Sequence, residues 1–339
     1  MSDRREVLMK IEGLKTYFPV KKGIFKRTVG HVKAVDGVDL EIFRGETLGI
    51  VGESGCGKTT LGKSLLRLSQ SSGGKVIYDF ADGKKDVLSL KGADLDQARR
   101  HLQIIFQDPY SSLNPSFTIF GSFDDPLKKM GVRSKKERRK LVAKLLADVN
   151  LPPEYMTRYP NEFSGGQRQR IGIARALSVN PQLIVCDEAV SALDVSIQAQ
   201  VLKLLRTLQS ERNLTYLFIT HDLSVVEYIA DRIAVMYLGK IVELADTDEL
   251  FKHPLHPYTR ALLSAIPIAD ITKKRTRTPL QGDVPSPVDI PMGCPFHPRC
   301  GFCTDLCKKE FPHLQKIEAG SHLVGCHYAQ RFVSQAFSL

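Results

Sequence analysis

The stretch "ETLGIVGESGCGKTTLGKSLL", residues 46–66, restricts what this chain can fold into more than any other. It reads as a short apolar strand, a glycine-rich turn and a helix beginning near Lys58. Gly52, Gly55 and Gly57 let the backbone turn so that successive N–H groups point inward, and the helix start adds free amides and the positive end of its dipole. The run Gly52, Glu53, Ser54, Gly55, Cys56, Gly57, Lys58, Thr59 and Thr60 is therefore a phosphate cradle, a P-loop. Lys58 is expected to reach the β- and γ-phosphates of ATP, and the Thr59 hydroxyl to ligate Mg²⁺.

A second piece must hold the metal and activate water. "PQLIVCDEAVSALD" (181–194) supplies an apolar run, Leu183 to Cys186, that ends in two acids, as a buried parallel strand does when its carboxyl end lines a ligand crevice. Asp187 is expected to hold Mg²⁺, and Glu188 to take a proton from the attacking water. Side-chain alternation along the strand is expected to point the two carboxylates apart.

At 339 residues the chain has room for one large domain plus an extension. No apolar run follows the charged N-terminus, and no stretch of about 18 apolar residues occurs, so the sequence reads as a cytosolic chain with neither signal peptide nor membrane span. Lys and Arg number 48 against 37 Asp and Glu, with basic runs at 21–27, 133–140 and 273–277. Such runs can meet nucleic acid or anionic lipid. The middle one is expected to be a solvated helix face, because Ser134 followed by Glu137 has capping-box spacing.

"FSGGQRQRIGIARAL" (163–177) resembles the signature of ABC ATPases, with Phe163 where leucine is usual. Ser164, Gly165, Gly166 and Gln167 open an apolar-periodic helix, a second anion-binding helix start. The resemblance implies a head-to-tail dimer with ATP sites at its interface, each P-loop covered by the partner's signature. It also makes Gln107 the Q-loop glutamine, which senses Mg²⁺ and the attacking water, Asp194 the D-loop aspartate at the dimer seam, and His221 the switch histidine on the γ-phosphate. For the adenine ring it offers Phe18 first and Tyr17 second. Ala189 replaces the proline most relatives have after the Asp–Glu pair and leaves both carboxylates intact.

"QDPYSSLNP" (107–115) and "LFKHPLHPYTRALLSAIP" (250–267) resemble segments of peptide-importer ATPases. That resemblance implies the F-type ATP-binding subunit of an oligopeptide or dipeptide importer, peripheral at the cytoplasmic face of the membrane. Its implied partners are a paralogous ATP-binding subunit in a heterodimer, two transmembrane permease subunits and an extracytoplasmic peptide-binding protein, with no nucleic acid. An importer of another solute, such as nickel or glutathione, is the alternative within the class. A soluble ABC ATPase acting on nucleic acid or cluster assembly is the alternative outside it.

Seven cysteines are present, four of them in "GCPFHPRCGFCTDLC" (293–307). A reducing cytosol disfavours disulfides, which leaves metal ligation as the leading reading and free thiols as the other. In the peptide-importer resemblance, Cys294, Cys300, Cys307 and Cys326 match ligands of a [4Fe-4S] cluster; zinc suits four thiolates equally by softness. Cys303 falls outside that pattern, and Cys56 and Cys186 read as small packing residues. The expected role is structural, a metal pinning a Pro-rich segment that builds little core of its own. The expected architecture is an α/β P-loop ABC ATPase domain over residues 1–262, with an antiparallel β-subdomain and a helical subdomain, followed by a small cysteine-rich C-terminal extension over 263–339.

Overall fold

The computed structural model describes residues 6–23, 25, 27–108, 112–266, 280, 282–317 and 321–333. The chain forms two compact units, one built from the stretches up to Ser89 and from Thr220 onward, the other from Leu90–Ile219. The basic run at 273–277 lies outside the described residues.

The first unit opens with a long hairpin, β1 (Val7–Lys22) and β2 (Arg27–Phe43), paired from Val7↔Phe43 to Lys22↔Arg27. Lys21, Lys22 and Arg27 of that basic run are thus at the far end of a paired hairpin. β3 (Thr47–Val51) is buried along its whole length and leads through the glycine loop into α1 (Lys58–Leu65). β4 (Gly73–Phe80) and β5 (Gly83–Asp86) complete an antiparallel sheet in the order β2-β1-β4-β5, the expected β-subdomain.

The second unit holds α2 (Gly92–His101), β6 (Leu102–Ile105), α3 (Ile119–Lys129), α4 (Lys135–Asp148), α5 (Gly165–Leu177), β7 (Leu183–Asp187), α6 (Val195–Arg212) and β8 (Thr215–Ile219). β6, β7 and β8 pair in parallel, and every residue of β7 and β8 is buried, as strands covered on both faces must be. Ser134 caps α4, its hydroxyl accepting from the Glu137 N–H at 3.4 Å. The basic run there is solvated as expected except for Arg138, which is buried, pairs with Asp124 at 2.6 Å and donates to the carbonyls of Val132 and Arg133. That cation ties α3 to α4 and is structural.

From Thr220 the first unit resumes with α7 (Leu223–Ile229), β9 (Arg232–Tyr237), β10 (Lys240–Asp246), α8 (Thr247–Lys252) and α9 (Pro257–Ser264). β9 lies parallel to β3, Leu48 opposite Arg232. Beyond α9 come α10 (Asp305–Lys309), β11 (Gln315–Lys316), β12 (Leu323–Val324) and α11 (Gln330–Val333). β12 pairs with β10, Glu243 opposite Val324. The Glu243 carboxylate, fully buried, accepts from the N–H groups of Leu255 and His256 and from His322 Nε2 at 2.6, 3.1 and 2.8 Å. A buried carboxylate needs such partners, and here they fasten the late chain to the sheet that carries the glycine loop. No helix among the described residues is long and apolar enough to cross a membrane.

Candidate functional site

The glycine loop is shaped by close backbone approach. Gly57 has φ of 109°, and a Cβ there would stand 1.9 Å from the Ala34 carbonyl oxygen; a Cβ on Gly52 would stand 2.2 Å from that of Met236. No side chain fits at either position without displacing backbone, so glycine there lets the loop keep its tight curl. Lys58, 5% exposed, donates from Nζ to the carbonyls of Gly52 and Glu53 at 2.8 and 2.9 Å. Ser54 and Gly55 are exposed at the crest, and Thr59 and Thr60 form the first turn of α1. Cys56 is buried, its thiol pushed up by desolvation, as a packing residue requires. Burial likewise raises the Cys186 thiol.

The hairpin register settles how the two aromatic candidates are placed. Tyr17 pairs with Lys33 and Phe18 with Val32, one and two residues before the Ala34 carbonyl that packs on Gly57. Tyr17 donates to Asp36 at 2.5 Å, and burial followed by that bond pushes its hydroxyl up to about 12. Phe18 is 42% exposed and presents its ring to solvent.

In the second unit, Asp187 is buried at the end of β7. Glu188 is not on the strand: it turns into the left-handed region with φ of 49°, and its N–H donates to the Ile219 carbonyl at 2.9 Å. Glu188 thus lies past the end of the strand, so the side-chain alternation expected to part the two acids does not apply to it. A non-glycine residue held there carries roughly 1–3 kcal/mol of strain, a feature that clusters at functional sites. Gln107 Nε2 donates to Glu188 Oε2 at 2.9 Å, bringing together two residues 81 positions apart.

Ser164 caps α5 in a reciprocal box, its hydroxyl accepting from the Gln167 N–H at 3.3 Å while Gln167 Oε1 accepts from the Ser164 N–H at 3.0 Å. Gly165 and Gly166 form the first turn, and Ser164 is exposed. Phe163, where leucine is usual, is buried edge-on against Tyr155 at 5.3 Å between centroids, a burial that contributes about 2 kcal/mol. The substitution therefore fills the core and leaves the helix start unchanged. Asp194 sits exposed at the N-cap of α6 beside Val195, which is 84% exposed. In the first unit His221 is exposed directly after Thr220, whose N–H donates to the Ile50 carbonyl of β3.

The expected metal group in the cysteine tail is not assembled: among the described residues no three or more His, Cys, Asp or Glu stand close enough together to hold a metal ion. Burial favours the neutral thiol, pushing Cys294 up to about 12, Cys326 up to about 11, and Cys300 upward. The donor chemistry does suit a thiolate-held group. Cys294, Cys300, Cys307 and Cys326 are unbridged and line one cavity, walled also by Phe296, Phe302 and Pro312, and Cys303 does not line it. The Pro-rich segment has an apolar anchor of its own: Phe296, 2% exposed, packs among Tyr237, Tyr258 and His256.

A buried cation held by a tightly curled glycine loop at the start of a helix is built for a polyphosphate, and that sets the class as a P-loop ATPase. The family model described as "ABC transporter" matches residues 35–191, and the one described as "Oligopeptide/dipeptide transporter, C-terminal region" matches 242–307. The "Oligopeptide transport ATP-binding protein AppF" of Bacillus subtilis is 50% identical over 326 residues, covering 95% of this chain and 98% of that protein. The "Probable peptide ABC transporter ATP-binding protein y4tS" of Sinorhizobium fredii is 48% identical over 322 residues, covering 95% and 90%. Among solved structures, the ATP-binding cassette MJ0796 bound to ADP and Pi, reported as dimeric, aligns with a TM-score of 0.60 at 29% identity, over 70% of this chain and 98% of that one. The cbiO1 protein of Clostridium perfringens, part of the cbiONQ transporter complex, aligns with a TM-score of 0.60 at 25% identity, over 73% and 91%. The chain belongs to the ABC transporter ATPases, in the branch that carries the oligopeptide/dipeptide transporter C-terminal region.

Proposed function

We propose that the chain hydrolyses ATP to power import of oligopeptides or dipeptides through a membrane complex, from a peripheral position at its cytoplasmic face. The observation that carries this reading is the pairing of an ABC cassette with the peptide-transporter C-terminal region in one chain about half identical to a protein named for oligopeptide transport. That pairing favours peptide import over nickel or glutathione import and over a soluble role with nucleic acid or cluster assembly. The complex would contain a paralogous ATP-binding subunit, two permease subunits and an extracytoplasmic peptide-binding protein. Reconstituted with them, the chain is expected to couple ATP turnover to peptide uptake, and alone to bind ATP while turning it over slowly.

The loop amides and Lys58 would hold the β- and γ-phosphates, Phe18 would stack on adenine, with Tyr17 the second candidate, and Thr59, Gln107 and Asp187 would hold Mg²⁺. When bound, Mg²⁺ draws charge from the phosphate oxygens. Glu188 takes the proton of the attacking water, and the bond from Gln107 fixes the carboxylate that does so. His221 contacts the γ-phosphate. Ser164, Gly165, Gly166 and Gln167 face the nucleotide held by the partner subunit, with Asp194 at the seam.

Domain boundaries of 1–262 for the cassette and 263–339 for the extension belong to the same proposal. In that extension, Cys294, Cys300, Cys307 and Cys326 would hold a [4Fe-4S] cluster, with zinc as the alternative, supported by their sharing one cavity. Such a group supplies a cross-link between the 294–307 segment and Cys326. Protein prepared without oxygen should carry about four irons per chain for a cluster, or about one zinc for the alternative. Cys326→Ser should lose the metal and render the tail protease-sensitive, whereas Cys303→Ser should keep both. Iron-free and zinc-free protein would remove the site.

A further inference from the structure

Glu53, the residue after Gly52 in the glycine loop, has each of its polar groups engaged. Its carbonyl accepts from Lys58 Nζ at 2.9 Å. Its N–H donates to the Tyr258 hydroxyl at 2.8 Å. Its carboxylate accepts twice from Arg299, Nη1 to Oε2 at 2.6 Å and Nη2 to Oε1 at 3.0 Å, across 246 positions of sequence. Such a fork-to-fork pair fixes orientation as well as charge. Arg299 is 8% exposed and cannot swing freely, because it ends the short helical turn His297–Arg299 whose neighbour Phe296 is wedged against Tyr237 and Tyr258. Tyr258 is equally fixed: His256 caps α9, accepting from the Tyr258 N–H at 3.1 Å, and Tyr258 is wholly buried.

The same late segment touches the hairpin. The Pro287 carbonyl accepts from the Lys33 N–H at 3.1 Å, and Lys33 is the residue that pairs with Tyr17. Chain beyond α9 therefore grips both the phosphate loop and the strand beside the aromatic candidates.

We propose that α9 and the chain beyond it form a positioning strap for the nucleotide site, in which Arg299 and Tyr258 hold Glu53, and through it the phosphate loop, in the shape that receives MgATP. The proposal rests on the nucleotide reading above. A phosphate cradle gains nothing from a nearby carboxylate, which repels the polyphosphate unless a cation neutralises it. Arg299 supplies that cation and fixes the loop with the same two bonds. Without it, Glu53 becomes an unpaired anion beside the phosphates and the loop loses an anchor.

The test uses the full chain and calorimetric titration with MgATP, with melting temperature recorded for each variant. Arg299→Ala should weaken MgATP binding about tenfold, within the coupling range of residues sharing one ion pair. Arg299→Lys should recover part of the loss. In the Arg299→Ala, Glu53→Gln double variant, affinity should be no weaker than in Arg299→Ala alone, because the two side chains act as one anchor and the second change removes nothing further. In the assembled transporter, Arg299→Ala should raise KM for ATP and leave kcat nearly unchanged, a split that a merely structural residue would not give. Unchanged affinity in folded Arg299→Ala protein, or losses in Arg299→Ala and Glu53→Gln that simply multiply in the double variant, would overturn the strap. Lys58→Ala serves as the reference: if it too left MgATP affinity unchanged, the nucleotide site itself would fail and the strap with it.

Discussion

Glu188→Gln is expected to lower ATP turnover of the assembled transporter by about 10²–10⁴-fold, the range set by a positioned general base, while MgATP binding persists. The two side chains match in shape, and the bond from Gln107 can be kept by the amide carbonyl that replaces the carboxylate oxygen. The left-handed backbone at 188 tolerates glutamine as it tolerates glutamate, so the local fold should stay. What is lost is the proton acceptor. Turnover measured by phosphate release, together with nucleotide retained on the purified complex, separates binding from chemistry. Wild-type turnover in this variant would place the base elsewhere.

Lys58→Ala is expected to act one step earlier, weakening MgATP binding by about two orders of magnitude, as loss of one partner from a buried charge pair does. The amine is buried and held over the loop by the carbonyls of Gly52 and Glu53, so it is poised for the phosphates before they arrive. Removing it deletes the only cation bonded to those carbonyls among the described contacts. Tyr258 and Arg299 still hold Glu53 in place, which is why the variant should fold and simply fail to bind. Equilibrium titration on protein of unchanged melting temperature is the check, and wild-type affinity would contradict the P-loop assignment.

Local signals carried much of this molecule. The strand, glycine loop and helix around Lys58, the buried Leu183–Asp187 strand and the Ser164 cap each depend on residues within a few positions of one another, so period, glycine placement and capping chemistry are enough to find them. The Glu188 turn was missed because an apolar run ending in two acids does not reveal where the strand stops. That Tyr17 is tied to Asp36 while Phe18 is partly exposed could be seen only with the hairpin register in place. Arg299 lay hidden in a run read for its cysteines, and Tyr258 in a segment read only for its resemblance. Their common partner Glu53 is more than 200 positions away, and no local pattern encodes such a contact. The Pro-rich segment was read for its cysteines, and the buried Phe296 and the bonds of Pro287 and Arg299 that also anchor it involve partners far away in sequence.

The most direct measurement places the complete complex in vesicles with ATP enclosed on the side of this chain and labelled peptide, with its binding protein, outside. Peptide should accumulate in the lumen only with hydrolysable ATP, turnover should rise with peptide and binding protein, and both should vanish in Lys58→Ala. ATP hydrolysis indifferent to peptide, with no uptake above that of ATP-free vesicles, would contradict the assignment of this chain as the motor of peptide import.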